Sequence, residues 1–168
     1  MQLIKVNYDH FSVSHSISFR QNYANYDTNV AGFNVATFLM LIPNGAGGAA
    51  NQRVTMCSEH FQGWCAEQAL MREVDADVAN GALVIWVFTE RRPCSPVLNN
   101  CSHTLDQFLV QYGFFQGGTP VFYLEEYPDV SRKDKGPLGK EKAKTNAKLS
   151  LYGSKIYDDH IQTLKALK

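Results

Sequence analysis

The chain has 168 residues, 45% hydrophobic and 12% aromatic, which suits one domain that buries roughly two-thirds of its unfolded surface without staples. Sixteen Lys and Arg balance sixteen Asp and Glu, so total charge does not single out a polyanionic partner. No apolar run approaches the ~20 residues of a membrane span, and the opening MQLIKVNYDH lacks the charged, apolar and small-residue regions of a secretion signal.

Residues 1–28 mix Tyr, His, Ser and Asn with scattered apolar side chains, and read as an irregular N-terminal arm with strand-like alternation in IKVNY and FSVSHSISF. GFNVATFLMLIP reads as a buried strand ended by Pro43, NGAGGAANQ as a turn, and RVTMCSE as the returning strand. The period then changes. Glu67, Leu70, Met71, Val74 and Val78 recur at helical spacing up to Asn80-Gly81. ALVIWVFTE is a nearly all-apolar strand of the kind buried on both faces of a sheet. RRPCSPVLNN is a loop, residues 101–113 form an amphipathic helix capped by Asn100 or Ser102 and ended by Gly113, and PVFYLEEYP is a further strand. This order predicts a single α/β domain over 1–168, with a mixed five-stranded sheet carrying helices on its faces. Residues 131–148 hold seven basic and two acidic residues without apolar period. The whole stretch 131–150 reads as a basic flexible segment, followed by a short helix from Asp158 or Asp159.

Four cysteines are present, at 57, 65, 94 and 101. Without a secretion signal, metal ligation, thiol catalysis or simple core packing outrank disulfides for them. Cys65 starts the first long helix, Cys101 opens the second, and Cys94 lies in the loop feeding it. Two helices side by side on a sheet can aim their N-termini at one spot, where backbone N–H groups and dipole ends favour thiolates. Three thiolates there suit Zn²⁺ with a fourth position left for water, the layout of a catalytic site. Glu67 lies on the core-facing stripe two residues after Cys65, and a buried carboxylate beside such a site can take a proton from the water and return it to the substrate. Cys57 reads as a packed strand residue, and His60 and His103 as caps or surface residues outside the metal set.

CAEQ followed by TERRPCSPVLNNC resembles the zinc-dependent cytidine and nucleobase deaminase superfamily, whose pattern is (His or Cys)-x-Glu and then Pro-Cys-x(n)-Cys. The resemblance covers about residues 33–127. It implies a cytidine deaminase-like three-layer fold, zinc on Cys65, Cys94 and Cys101, Glu67 as the acid–base group, and hydrolytic loss of ammonia from a ring carbon. Asn34, Trp64, Ala66 and Arg92 would then contact the substrate. Six residues separate Cys94 from Cys101 where the family usually has two, although the riboflavin-pathway deaminases also have a long loop there. An anionic thiolate site calls for a nearby cation, a part for Arg91 or Arg92.

Free-cytidine deaminases have Arg after the catalytic Glu and an Asn-x-Glu upstream that binds ribose; here Gln68 and RVTMCSE stand in those places. The resemblance therefore points away from free nucleosides and towards the deaminase domains of bacterial polymorphic toxins. That implies cytosine in nucleic acid as substrate, with single-stranded DNA favoured over RNA and the basic segment on phosphates. It also implies Trp64, Phe61 or Tyr127 stacking on an extruded base, a possible immunity protein as partner, and no membrane partner. The location implied is secretion as an effector into a target-cell cytoplasm, or the cytoplasm itself. The alternatives are a metabolic deaminase of a free nucleoside, nucleotide or pterin-like base, and a non-enzymatic domain with structural zinc.

Overall fold

A computed structural model describes the chain except for residues 25–31, 46, 59–62, 96–99, 117, 129, 131–132 and 168, and the side chains of residues 23–24. The elements are β1 (Gln2–Lys5), α1 (Val13–Ala24), β2 (Val35–Pro43), β3 (Ala49–Cys57), α2 (Ala66–Glu73), α3 (Asp75–Ala79), β4 (Leu83–Arg91), α4 (Cys101–Tyr112), β5 (Pro120–Glu125) and α5 (Pro137–Ala166). The strands form one five-stranded sheet in the order β1-β5-β4-β2-β3. β1, β5 and β4 run parallel, and β2 lies antiparallel between β4 and β3. The expected α/β class with a mixed sheet is what the chain adopts.

Topology decides where the helices go. β3 and β4 both run antiparallel to β2, so they are parallel to each other, and β4 is parallel to β5. The crossovers β3–α2–β4 and β4–α4–β5 therefore join parallel strands and step along the sheet in the same direction. Right-handed crossovers of that kind place both helices on one face. Ala69, Leu70, Leu105 and Leu109 of α2 and α4 accordingly share a core with Phe38 and Val84. The opposite face packs Leu39, Trp86, Phe88 and Leu124 against Val13 of α1, and α5 packs on α1. A bulge at Ile85, where the register of β4 on β2 shifts, lets Val84 and Val87 both face α2 and α4.

Three sequence expectations change. Of the expected irregular arm 1–28, Gln2–Lys5 form a parallel edge strand and Val13–Ala24 a 12-residue helix, and 25–28 lie outside the described residues. The inward positions of α1 are Val13, Ser16, Ile17 and Arg20, a helical i, i+3, i+4, i+7 set in which two polar residues hide the period. The segment 131–150 is not flexible over its length, because a 30-residue helix starts at Pro137, with Gly136 as N-cap. Its buried face is Lys142, Thr145, Leu149, Gly153 and Ile156, again helical in spacing and poor in apolar types. The proposed Glu67–Val78 helix breaks at Val74 into α2 and α3.

The polar residues of α1 are held by one buried cluster. Arg20 and Glu90 are 1% and 0% exposed and form an ion pair at 2.6 Å. Arg20 Nε donates to Glu90 Oε1 at 2.8 Å, Ser16 Oγ donates to the same oxygen, and Val35 N–H donates to Oε2 at 3.1 Å. A buried pair is tolerated only with this level of satisfaction, and removing one partner typically costs about 3–5 kcal/mol. Tyr152 of α5 packs on the other side, its ring 5.7 Å from the Arg20 guanidinium.

Burial, reinforced by the Glu90 charge, pushes the Tyr152 phenol up from 10.0 to about 12. The fold thus favours the neutral phenol, so its contribution is intact below pH 10 and is lost as pH rises through about 12. Urea midpoints of the wild type are expected to fall relative to Tyr152→Phe across that window and to track it below. Parallel curves throughout would contradict the buried placement.

Candidate metal centre and acid–base site

The same crossovers bring the N-termini of α2 and α4 to one edge, since each helix follows the C-terminal end of one of two parallel strands. Cys65 is the N-cap of α2, Cys101 is the first residue of α4, and Cys94 lies three residues beyond β4. Their three Sγ atoms all lie within 4.8 Å of one another. Sulfurs around a tetrahedral zinc, bound at about 2.3 Å, stand roughly 3.8 Å apart, so the arrangement fits such an ion with small adjustment. None of the four cysteines forms a disulfide. Cys94 and Cys101 are buried and Cys65 is half-buried, which leaves the open side of the triad next to α2. Hydrogen bonding with Cys65 and Cys94, then burial, pushes the Cys101 thiol up. Three thiols this close cannot all ionise without a cation among them.

Local sequence explains how the triad is held. The Gln68 side chain accepts the backbone N–H of Cys65 at 3.2 Å, the reciprocal half of a capping box. Gln68 thus has a structural task at the start of α2. Ser102 N–H donates to the Cys94 carbonyl at 2.8 Å, which ties the thiol loop to the start of α4. Asn100, the N-cap of α4, sits in the left-handed region at φ 53° and makes no side-chain cap; neither does Ser102, so the capping expected from sequence is absent.

Glu67 is 2% exposed, on the inner face of α2. Thr89 Oγ1 donates to its Oε1 at 2.7 Å and Asn34 Nδ2 donates to the same oxygen at 3.2 Å. Burial raises its pKa, the Thr89 hydrogen bond opposes this, and the nearby Cys94 charge adds to the rise. Both side-chain donors fall on Oε1, and Oε2 receives neither of them.

Asn34 precedes β2 and stands across from Arg91, the register that follows from Ala36 pairing with Thr89. Its Nδ2 also donates to Thr89 Oγ1 at 2.9 Å and its Oδ1 accepts Arg91 N–H at 3.0 Å. Both Nδ2 hydrogens of Asn34 and one lone pair of its Oδ1 are thus engaged inside the protein, one of the hydrogens on Glu67. Arg92, the other expected contact, bonds Glu126 at 3.1 Å on the surface. Arg91 donates to the Gly32 carbonyl at 2.9 Å, lies 5.4 Å over the Tyr127 ring, and is close enough to Glu67 for their charges to attract. Trp64 is half-buried with Arg72 stacked at 3.9 Å on its ring, which covers one ring face. Ala66 is fully buried within the core. Cys57 packs with Val35, Phe19 and Phe33, away from the triad. His103 is exposed on α4, and His60 and Phe61 lie outside the described residues.

Sequence reading missed Thr89. Its signal was present: a polar Thr-Glu-Arg run at the C-terminal end of a doubly buried strand, where ligands of α/β sheets collect. No protein-family model matches the sequence, and no curated protein matches it either. Among the described residues, Cys65, Cys94 and Cys101 are the group able to hold a metal ion.

One divalent ion per chain is expected by elemental analysis. Serine at Cys65, Cys94 or Cys101 should lower metal affinity by more than about 100-fold, beyond the usual loss for an outer-shell partner. Cys57→Ser should leave stoichiometry unchanged.

Proposed function

We propose that the protein is a zinc-dependent hydrolytic deaminase that converts cytosine to uracil in nucleic acid, as the toxic domain of an interbacterial effector. The observation that supports this most is a fully buried carboxylate, Glu67, fixed through one oxygen beside three convergent thiols at the open end of a sheet. A structural metal site does not need such a carboxylate, whose burial is costly. The CAEQ and TERRPC motifs carry the family reading, and the departures at Gln68 and RVTMCSE favour a polymer substrate over free cytidine.

Zinc at the three cysteines would supply Lewis acidity and bring the pKa of a water towards neutrality. Glu67 Oε2 takes the proton of the attacking water as the C4–O bond forms. It passes that proton to ring N3, then delivers the second to the amino group as the C4–N bond breaks, so that water and cytosine become uracil and ammonia. Thr89 and Asn34 keep the carboxylate aimed while its charge changes. The toxin role carries with it a neutralising partner protein in the producing cell and delivery into the cytoplasm of another.

The test is incubation of zinc-loaded protein with single-stranded DNA, double-stranded DNA, RNA and free cytidine, followed by mass analysis of the bases. Uracil should appear in a polymer. Deamination of mononucleotides alone would favour a metabolic enzyme, and no loss of amine anywhere would reject deamination. Glu67→Gln should reduce turnover by at least about 100-fold with its metal retained; a domain using zinc only for structure would keep its function in this variant. Thr89→Val should cost about 10–100-fold in turnover and move the acidic limb of the pH–rate profile upward, since it removes a hydrogen bond that favours ionised Glu67. A merely structural Thr89 would lower stability without moving that limb.

A further inference from the structure

Lys140, Lys144 and Lys148 recur every fourth residue on α5, and Lys155 falls on the same line. At about 100° per residue these four span roughly 80° of the helix surface. All are exposed, and the buried residues Lys142, Thr145, Leu149 and Ile156 occupy the opposite side. Lys135 lies just before the helix and is exposed as well.

This stripe works against the helix that bears it. Like charges four residues apart repel. A helix is positive at its first turn, next to which Lys140 lies, and the first turn of α5 has no acidic residue to offset this. Neighbouring acids offset only part of the charge. Lys148 pairs with Glu125 and Lys155 with Asp159; Glu126 is taken by Arg92; Asp134 accepts the Gly136 N–H; Glu141 and Asp158 are exposed on the helix itself. Lys140 and Lys144 have no ion pair among the described residues. The arrangement leaves uncompensated positive charge on this face for an outside anion to neutralise.

The stripe also begins in the right place. Thr145 Oγ1 donates to the Glu126 carbonyl at 3.0 Å, and Lys142 Nζ donates to the Val130 carbonyl at 2.7 Å. Lys142 and Arg91 flank the Tyr127 ring, 4.4 and 5.4 Å from its centroid. Glu125 is in register with Arg91, three residues before Cys94. The buried side of the first half of α5 is thus anchored behind the C-terminal ends of β4 and β5, the strand ends that carry Thr89 and lead to Cys94, while the lysines face solvent on its outer side.

We propose that the solvent face of residues 135–148 is the track that holds the sugar–phosphate backbone of a single-stranded nucleic acid whose target base enters the Glu67 site. The proposal rests on the deaminase reading for the fate of the base, not for the binding itself. Phosphates neutralised by lysines release counterions, with a slope of about −0.7 in log affinity per log salt for each contact on a single strand.

The test uses the full zinc-loaded chain and a labelled oligothymidine, which contains no cytosine and cannot turn over. Lys140→Gln/Lys144→Gln should weaken binding at low salt at least about tenfold and make the salt slope shallower by about 1.4, two contacts' worth. Its thermal midpoint should stay equal or rise, because a repulsive pair is gone. Unchanged affinity and slope would overturn the track, as would absence of oligothymidine binding by the wild type. Binding of anionic-lipid vesicles through these lysines without oligothymidine binding would also overturn it. Loss of oligonucleotide binding in the variant, with no base deaminated by the wild type, would leave the track standing and reject the deaminase reading instead.

Discussion

Two carboxylates are taken almost completely out of water on opposite sides of one strand end, and the rest of the site depends on how they are held. At the C-terminal end of β4, Thr89 faces α2 and donates to Glu67, while Glu90 faces α1 and pairs with Arg20. The next residue, Arg91, gives its backbone N–H to Asn34, which reaches back to Glu67. Successive side chains of a strand point to opposite faces, so three adjacent residues tie the sheet to both helix layers. Buried charge is tolerated only where its partners are in place. The Arg20 cluster therefore fixes the strand end from behind, and the Glu67 carboxylate is fixed from the front.

The convergence of the thiols follows from an equally simple constraint. Two right-handed crossovers stepping the same way put α2 and α4 on one face with their N-termini at one edge. No feature of Cys65, Cys94 or Cys101 alone dictates that meeting. It is produced by the β3–β2–β4 arrangement, in which an antiparallel strand inserted between two parallel ones still leaves the helices side by side.

How much of this was legible depends on which residues faced inward. Where buried positions were apolar, as in β2, β4, α2 and α4, periodicity located the elements and the two halves of the site. Where buried positions were polar, it failed. Ser16 and Arg20 concealed α1, and Lys142 and Thr145 concealed the first half of α5. These residues are buried because a partner elsewhere satisfies them, such as Glu90 for Arg20 or the Val130 carbonyl for Lys142. Such partnerships are long-range and leave no local period. The same reason explains Asn34 and Thr89: their role is a distance to Glu67 across the sheet edge, visible only once β2 and β4 are paired. The lysine stripe of α5 is the reverse case, since its spacing gains meaning only after the segment is known to be helical.

The central claim is that three thiolates, and not four, hold one metal ion with a position left open beside Glu67. X-ray absorption on the zinc-loaded protein tests it most directly. The account predicts three sulfurs at about 2.3 Å and one lighter atom at about 2.0 Å. Four sulfurs would mean a closed structural site, and a shell without sulfur would mean that the triad does not bind the metal at all.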